Sequence, residues 1–283
     1  MSQKTVLLIS DNWDAEATLV VALVRAYATS FWGGTWKELL AVRDADGRVL
    51  RQFGTFDESG EVFPETRELL TREGISTHNR DWPMRLWELA SAGLLQADTG
   101  EQIDPYWSLE SAEHELRTFV TKGTGYGGEI LMLVESGEIV GFTAYACARG
   151  DDGRAVAHRR FPTQALYVPI DNLSPSRLSV RELLELQFSG DRAFGIFLDH
   201  AVSEVYRGNG LGSRLFDARL DRLLELGTDI TFGRTMVTAP RQYVGNYLAR
   251  GLRPIAADGT DAFSRAKHYF AADRCELHPR SRT

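Results

Sequence analysis

The residues most able to do chemistry lie in one short turn, Arg207-Gly208-Asn209-Gly210-Leu211-Gly212. Ahead of it, Phe194 to Val202 is short, mostly apolar and free of proline, as a buried strand is. Behind it, Leu215, Phe216, Leu220, Leu223, Leu224 and Leu226 recur at helical spacing, and Gly227 stands where a helix stops. A helix start has spare backbone N–H groups and the positive end of the macrodipole. Glycines let an anion reach that backbone because no Cβ intervenes. The turn is therefore a candidate phosphate cradle. It lacks the Gly-Lys-Ser/Thr ending of a P-loop. The third glycine of a dinucleotide fingerprint is also missing, so the pattern fits no common nucleotide motif.

The elements that must hold this turn can be read along the chain. Thr5 to Ile9 reads as a buried strand and Asp14 to Phe31 as an amphipathic helix. Trp36 to Val42 and Arg48 to Phe53 form a hairpin around Asp46-Gly47. Pro64 to Glu73 is a short helix stopped by Gly74. A strand is expected over Ile75 to Arg80, a helix over Met84 to Leu95, and a second over Leu109 to Val120 capped by Ser108. Glu129 to Val134 and Ile139 to Cys147 make a hairpin, with Gly141 marking a bulge or the close approach of a neighbour. Ile230 to Val237 is the next strand, Ala239 to Arg250 a helix ended by Gly251, and Leu252 to Ile255 and His268 to Phe270 are further strands.

With those flanks, Val202 to Gly212 resembles the acetyl-CoA-binding motif of the GCN5-related N-acetyltransferase superfamily. Arg207, Gly210 and Gly212 fit its Arg/Gln-x-x-Gly-x-Gly/Ala pattern; Val202 and Tyr206 fit the preceding strand end, where Glu204 replaces a proline. Tyr247 to Leu252 resembles the family's Tyr-x-x-x-Gly-Phe ending, with Leu252 for Phe. The Asn that often opens that helix and touches the cofactor would fall near Pro240 and is absent. The resemblance covers about residues 75 to 275. It implies an α/β (α+β, mixed sheet) acyl-CoA N-acyltransferase fold, with residues 1–74 as an N-terminal α/β extension and 75–283 as the acetyltransferase domain. Residues 149–192 would be an insertion between the third and fourth strands, shaping the acceptor site or a homodimer, or inert.

The implied activity is direct acetyl transfer from acetyl-CoA, as co-substrate, to a primary amine of a small molecule or peptide. Arg207, Gly208, Asn209, Gly210, Leu211, Gly212 and Ser213 would hold the pyrophosphate, and Val202 would pair with pantetheine like an added strand. Tyr247 matches the family's general acid; a phenol titrating near ~10 is matched to a thiolate leaving group. His200 shares a strand face with Val202 and is a candidate base, as is Glu204 just past the strand. Tyr106 and Trp107 are candidates to wall the acceptor site, with core packing as the alternative. Two further readings stay open: a catalytically silent acyl-CoA or partner-binding module, and a protein using the glycines for another phosphate ligand.

Composition narrows the setting. A net charge of −7 argues against nucleic acid, whose phosphates favour a basic face. Two cysteines, Cys147 and Cys275, have no ligand spacing, so no metal site is expected. No apolar run is long enough for a membrane span, and the start of the chain has too short an apolar run for a signal peptide. The expectation is a cytoplasmic protein.

Overall fold

A computed structural model describes residues 4–33, 36–57, 59–150, 166–167, 192–236, 241–258 and 267–278. In chain order the elements are β1 (Lys4–Leu8), α1 (Ala17–Thr29), β2 (Leu40–Arg43), β3 (Val49–Phe53), α2 (Pro64–Arg72), α3 (Trp82–Ser91), β4 (Ile103–Pro105), α4 (Leu109–Val120), β5 (Glu129–Glu135), β6 (Glu138–Arg149), β7 (Leu166–Tyr167), β8 (Ala193–Val202), α5 (Leu211–Glu225), β9 (Ile230–Met236), α6 (Arg241–Leu248), β10 (Arg253–Asp258) and β11 (Lys267–Asp273). They form two compact units, one of residues 1–17 with 117–283, the other of residues 18–116.

Neither unit begins or ends at residue 74. The first unit is an eight-stranded sheet in the order β1-β5-β6-β8-β9-β11-β10-β7. β1 belongs to this sheet, paired antiparallel to β5 from Lys4↔Val134 to Leu8↔Ile130. The strand expected at Ile75 to Arg80 is not formed; those residues run through coil and turn into α3. Most of the expected insertion lies outside the described residues. Between its two ends the described piece, β7, pairs with β10 at the far edge of the sheet.

The sheet's local construction follows its sequence. Ser136 and Gly137 both take positive φ (54° and 85°), the geometry that a two-residue hairpin turn needs between β5 and β6. β8 and β9 are parallel, so a crossover must join them, and α5 supplies it. α5 buries Leu215, Phe216, Leu220 and Leu223 against Phe197, Val202, Val140 and Tyr145 of the sheet. Each such side chain contributes roughly 1.5–3 kcal/mol relative to exposure. Gly141 marks the close approach: a Cβ there would lie 2.9 Å from the Leu215 Cδ1 and 3.1 Å from the Ala201 carbonyl oxygen.

The second unit has a three-stranded antiparallel sheet, β3-β2-β4, whose β2–β3 hairpin closes on Gly47 at φ 78°. The Asp44 carboxylate accepts from the Asp46 and Arg48 amides and fixes that turn. Leu40, Phe53, Leu69, Leu70, Trp82, Leu86 and Ile103 make its core. Ser108 caps α4 as expected, its Oγ accepting from the Ser111 amide at 3.1 Å.

Candidate functional site

β8 is well paired at its start and open at its end. Its ladder with β9 runs only from Phe194↔Ile230 to Ile196↔Phe232, although β8 continues to Val202 and β9 to Met236. β9 stays paired with β11 over its whole length, so the two parallel strands part after Ile196. On its other side β8 remains on β6, with one irregularity. Between Thr143↔His200 and Tyr145↔Phe197 the two residues Leu198 and Asp199 pass the single Ala144. That extra residue is a β-bulge, which bends a strand and re-aims its side chains.

The ladder also settles which way the open end faces. The Ser203 amide donates to the Val140 carbonyl at 3.0 Å, so Gly141 and Val202 form a non-hydrogen-bonded pair. The main-chain N–H and C=O of Val202 therefore turn away from β6, toward the gap. Arg207 closes over this edge: its Nε donates to the Val202 carbonyl at 3.1 Å. The Arg207 guanidinium thus serves the turn itself.

Beyond Val202 the chain makes one 3-10 turn, Glu204–Tyr206, and then the glycine turn. Gly208 and Gly210 have φ of 83° and 75°, a conformation costly for residues with a Cβ. Among the described residues, a Cβ at either position would meet nothing within 4 Å. Gly210 caps α5 with no side-chain bond, and the first helical bond is Arg214 N–H to the Gly210 carbonyl. Among the described residues, none of the amides from Gly208 to Ser213 donates to a protein acceptor. Six consecutive N–H groups around two left-handed glycines at a helix start are a concave donor surface for an anion. The side chains here are occupied locally: the Asn209 Nδ2 donates to the Tyr206 carbonyl, and the Ser213 Oγ donates to the Asn246 Oδ1 at 3.1 Å.

The candidate acid–base residues fall in different surroundings. His200 lies under the first turn of α5, its Nε2 3.6 Å from where a Gly212 Cβ would sit, with Val202 Cγ2 at 3.8 Å from the same point. The two side chains thus share a face, as the strand alternation requires. The imidazole does not titrate near neutral pH: burial first, and the Arg219 charge second, push it well below its ordinary value. Glu204 is exposed in the 3-10 turn. Tyr247 is buried at 4% exposure in an aromatic box, stacked on Phe270 at 4.4 Å and edge-on to Phe216 at 5.0 Å. Its hydroxyl donates to the Arg234 carbonyl at 3.1 Å, two residues past the last β8–β9 pair. Gly233 makes room for this ring; a Cβ there would strike Tyr247 and come within 2.7 Å of Phe197.

Tyr106 and Trp107 belong to the second unit. There the Trp107 Nε1 donates to the buried Glu38 carboxylate at 2.7 Å, and its ring meets Tyr27 and Tyr106 edge-on. Both residues thus take part in that unit's own packing.

Three features of the first unit were not anticipated from the sequence. One is the bulge in β8. The second is a polar cluster at the paired end, where the Arg222 guanidinium donates twice to Glu129 (2.9 and 3.0 Å) and the Tyr145 hydroxyl donates to the same carboxylate at 2.9 Å. Burial, then the Glu129 charge, holds the Tyr145 hydroxyl protonated far above its usual range. The third is Arg250, fully buried, whose Nε donates to the Asp217 carboxylate at 2.5 Å. A signal for the last two existed only as charges on apolar helix and strand faces. Among the described residues no group of His, Cys, Asp and Glu is placed to hold a metal ion, and no helix is long and apolar enough to cross a membrane.

No protein-family model and no curated protein matches the sequence. Solved structures give low-level likenesses. NAA60 from Arabidopsis thaliana, in complex with acetyl-CoA, is 11% identical with a TM-score of 0.39, over 68% of this chain and 93% of that one. A ribosomal-protein-alanine N-acetyltransferase from Brucella melitensis is 12% identical with a TM-score of 0.36, over 69% and 94%. A Bacillus subtilis acetyltransferase in complex with CoA is 15% identical with a TM-score of 0.32, over 52% and 76%. The architecture itself is a mixed sheet whose parallel β8 and β9 part after Ile196, with a glycine turn leading from the open strand into α5.

Proposed function

We propose that this protein is an acetyl-CoA-dependent N-acetyltransferase that transfers the acetyl group directly to a primary amine of a small molecule or peptide. One observation carries the reading. The unladdered edge of β8 runs straight into a turn whose six amides lack protein acceptors among the described residues. An extended amide-bearing chain ending in a pyrophosphate matches these two features in order: pantetheine along the edge at Val202, where Arg207 already holds the carbonyl and the amide faces the gap, and pyrophosphate at Gly208 to Ser213. The open space in front of Gly208 and Gly210 fits such a group.

In the reaction the amine nitrogen bonds to the thioester carbon, the carbon–sulfur bond breaks, and one proton must leave the nitrogen while another reaches the sulfur. Tyr247 is the assigned acid. Its hydroxyl donates to the Arg234 carbonyl of β9, two residues past the last β8–β9 pair, which supports this role. His200, kept neutral by burial, and Glu204, exposed past the strand, are the candidates to take the amine proton. Tyr106 and Trp107 remain candidates for the acceptor wall. The two free thiols, half-buried Cys147 and exposed Cys275, suit a reducing, cytoplasmic setting.

Calorimetric titration of acetyl-CoA into the intact protein tests the reading directly. Binding in the micromolar range supports it, and no heat at any temperature sinks it.

A second reading is favoured by the burial of Tyr247: the fold serves as a silent acyl-CoA-binding module. Steady turnover on a panel of primary amines, lost in Tyr247→Phe, excludes that alternative.

A further inference from the structure

A chain of polar side chains links the glycine turn to the helix that carries Tyr247. The Ser213 Oγ, in the first turn of α5, donates to the Asn246 Oδ1 at 3.1 Å. The same oxygen accepts from the Arg250 Nη1 at 3.0 Å. The Arg250 Nε returns to α5 through the Asp217 carboxylate, one turn beyond Ser213. So α5 is held at two points, and Asn246 and Arg250 bridge them from the far side.

This arrangement is costly to keep. Arg250 is fully buried, with its guanidinium over the Phe216 ring at 5.2 Å, and among the described residues its Nη2 has no hydrogen-bond partner. A buried cation needs its full complement of acceptors to break even against an apolar residue. A leucine or methionine would fill the same space without that penalty. The guanidinium is suited instead to fixing direction, because its planar fork holds two acceptors at set angles. The two acceptors are Asp217 on α5 and Asn246, one residue before Tyr247.

We propose that Arg250 is a positioning residue: through Asp217 and Asn246 it locks the first turn of α5 to α6 and so fixes the Tyr247 hydroxyl relative to the glycine turn. The inference rests on the acetyltransferase reading for its consequence and on the four side chains for its existence. Substrate does not touch Arg250; it acts through its neighbours.

The experiment is a double-mutant cycle on the full chain with Ser213→Ala, Arg250→Lys and the pair, with Asn246→Asp as the conservative control. Ser213→Ala leaves the turn amides in place, and Asn246→Asp keeps an acceptor for both neighbours. Each cycle member is read for kcat, for KM of acetyl-CoA and for unfolding midpoint. The expected result is a fall in kcat of about tenfold in each single variant, a KM change below about threefold, and a double variant no slower than the worse single. Asn246→Asp is expected to stay within about threefold of the unsubstituted protein in kcat. Unchanged kcat in both singles, or losses that multiply in the double, overturns the proposal, since a merely structural role would move the midpoint alone. If Arg250→Lys does not fold, Ser213→Ala with Asn246→Ala runs the same cycle. If the unsubstituted protein neither binds nor turns over acetyl-CoA, the acetyltransferase reading has failed. The lock is then judged by unfolding alone, where non-additive midpoints support it and additive ones overturn it.

Discussion

The two ends of β8 have the same neighbours in sequence style and opposite fates. At the Phe194 end the strand is closed. It pairs with β6 on one side and β9 on the other, the Ala193 amide and carbonyl are both bonded to Asp229, and Gly195 is hemmed in by Leu223, Thr228 and Thr231 at 3.1 Å from a would-be Cβ. At the Val202 end the β9 partner is gone and, among the described residues, the amides from Gly208 to Ser213 have no protein acceptor and nothing lies within 4 Å of a would-be Cβ at Gly208 or Gly210. Buried or semi-buried backbone groups are nearly always paired. A strand that is laddered on both sides at one end and on one side only at the other, next to two left-handed glycines, is the feature on which the proposed acetyl-CoA site rests. The closed end teaches what stability requires; the open end departs from it.

That contrast can be broken most severely at Gly210. Gly210→Trp places a large side chain in the open space before the turn and strains a φ of 75°. Acetyl-CoA binding is expected to weaken on the order of a thousandfold, with the fold destabilised by only about 1–2 kcal/mol. Calorimetry and circular dichroism on the same sample separate the two effects. Retained affinity would mean that the turn is not the anion site.

Tyr247→Phe is next in size. The aromatic box keeps its stacking on Phe270 and loses only the bond to the Arg234 carbonyl. If the phenol delivers the proton to sulfur, kcat falls about a hundredfold while acetyl-CoA affinity holds within about twofold. A variant with full turnover would return Tyr247 to the core and pass the acid role to another group.

The closed end supplies the opposite pattern. Glu129→Ala removes the acceptor shared by Tyr145 and Arg222. Tyr145 is fully buried and its hydroxyl is left without that partner, whereas Arg222 is a third exposed and recovers water. The expected loss is about 2 kcal/mol in denaturant unfolding, most of it from the tyrosine hydroxyl. Acetyl-CoA affinity should not move. A large loss of affinity here would show that the two ends of β8 are coupled and weaken the division drawn between them.

What could be read from the sequence follows the range of the interactions. The strand, the glycine turn and α5 are local, and their spacing announced them between Phe194 and Gly227. The β5–β6 hairpin was legible for the same reason, through Ser136-Gly137. β1 was visible as a strand, but a run of five apolar-patterned residues says nothing about which sheet it joins. Its partner Val134 lies 130 positions from Lys4. The assignment of a strand to Ile75 failed because only one residue of that stretch is buried, and a lone apolar residue does not set a period. The bulge at Leu198-Asp199 and the Arg250–Asp217 pair depend on how strands and helices meet, which no window of sequence contains. The turn amides were foreseeable; that the Arg207 and Ser213 side chains would be occupied by the protein itself was not.

The smallest effect concerns His200 and pH. Its imidazole sits under α5 near Arg219, and both burial and that charge favour the neutral form. In the unfolded chain the group titrates at its ordinary value, near 6.5. Between the depressed folded value and that ordinary one, the unfolded state binds the proton and the folded state does not. Stability therefore rises with pH through this window, is complete above it, and is lost as the pH falls below the ordinary value, by up to about 1.4 kcal/mol per unit. Unfolding midpoints taken from pH 8 down to pH 5 should be flat and then decline, and His200→Gln should remove that part of the slope. The rate profile discriminates further. If neutral His200 accepts the amine proton, kcat/KM shows no protonation step at the ordinary histidine value, because the folded imidazole is still neutral there. A sharp fall in kcat/KM centred on that value, persisting in His200→Gln, would place the base elsewhere and leave exposed Glu204 as the group on the open side of β8 to examine.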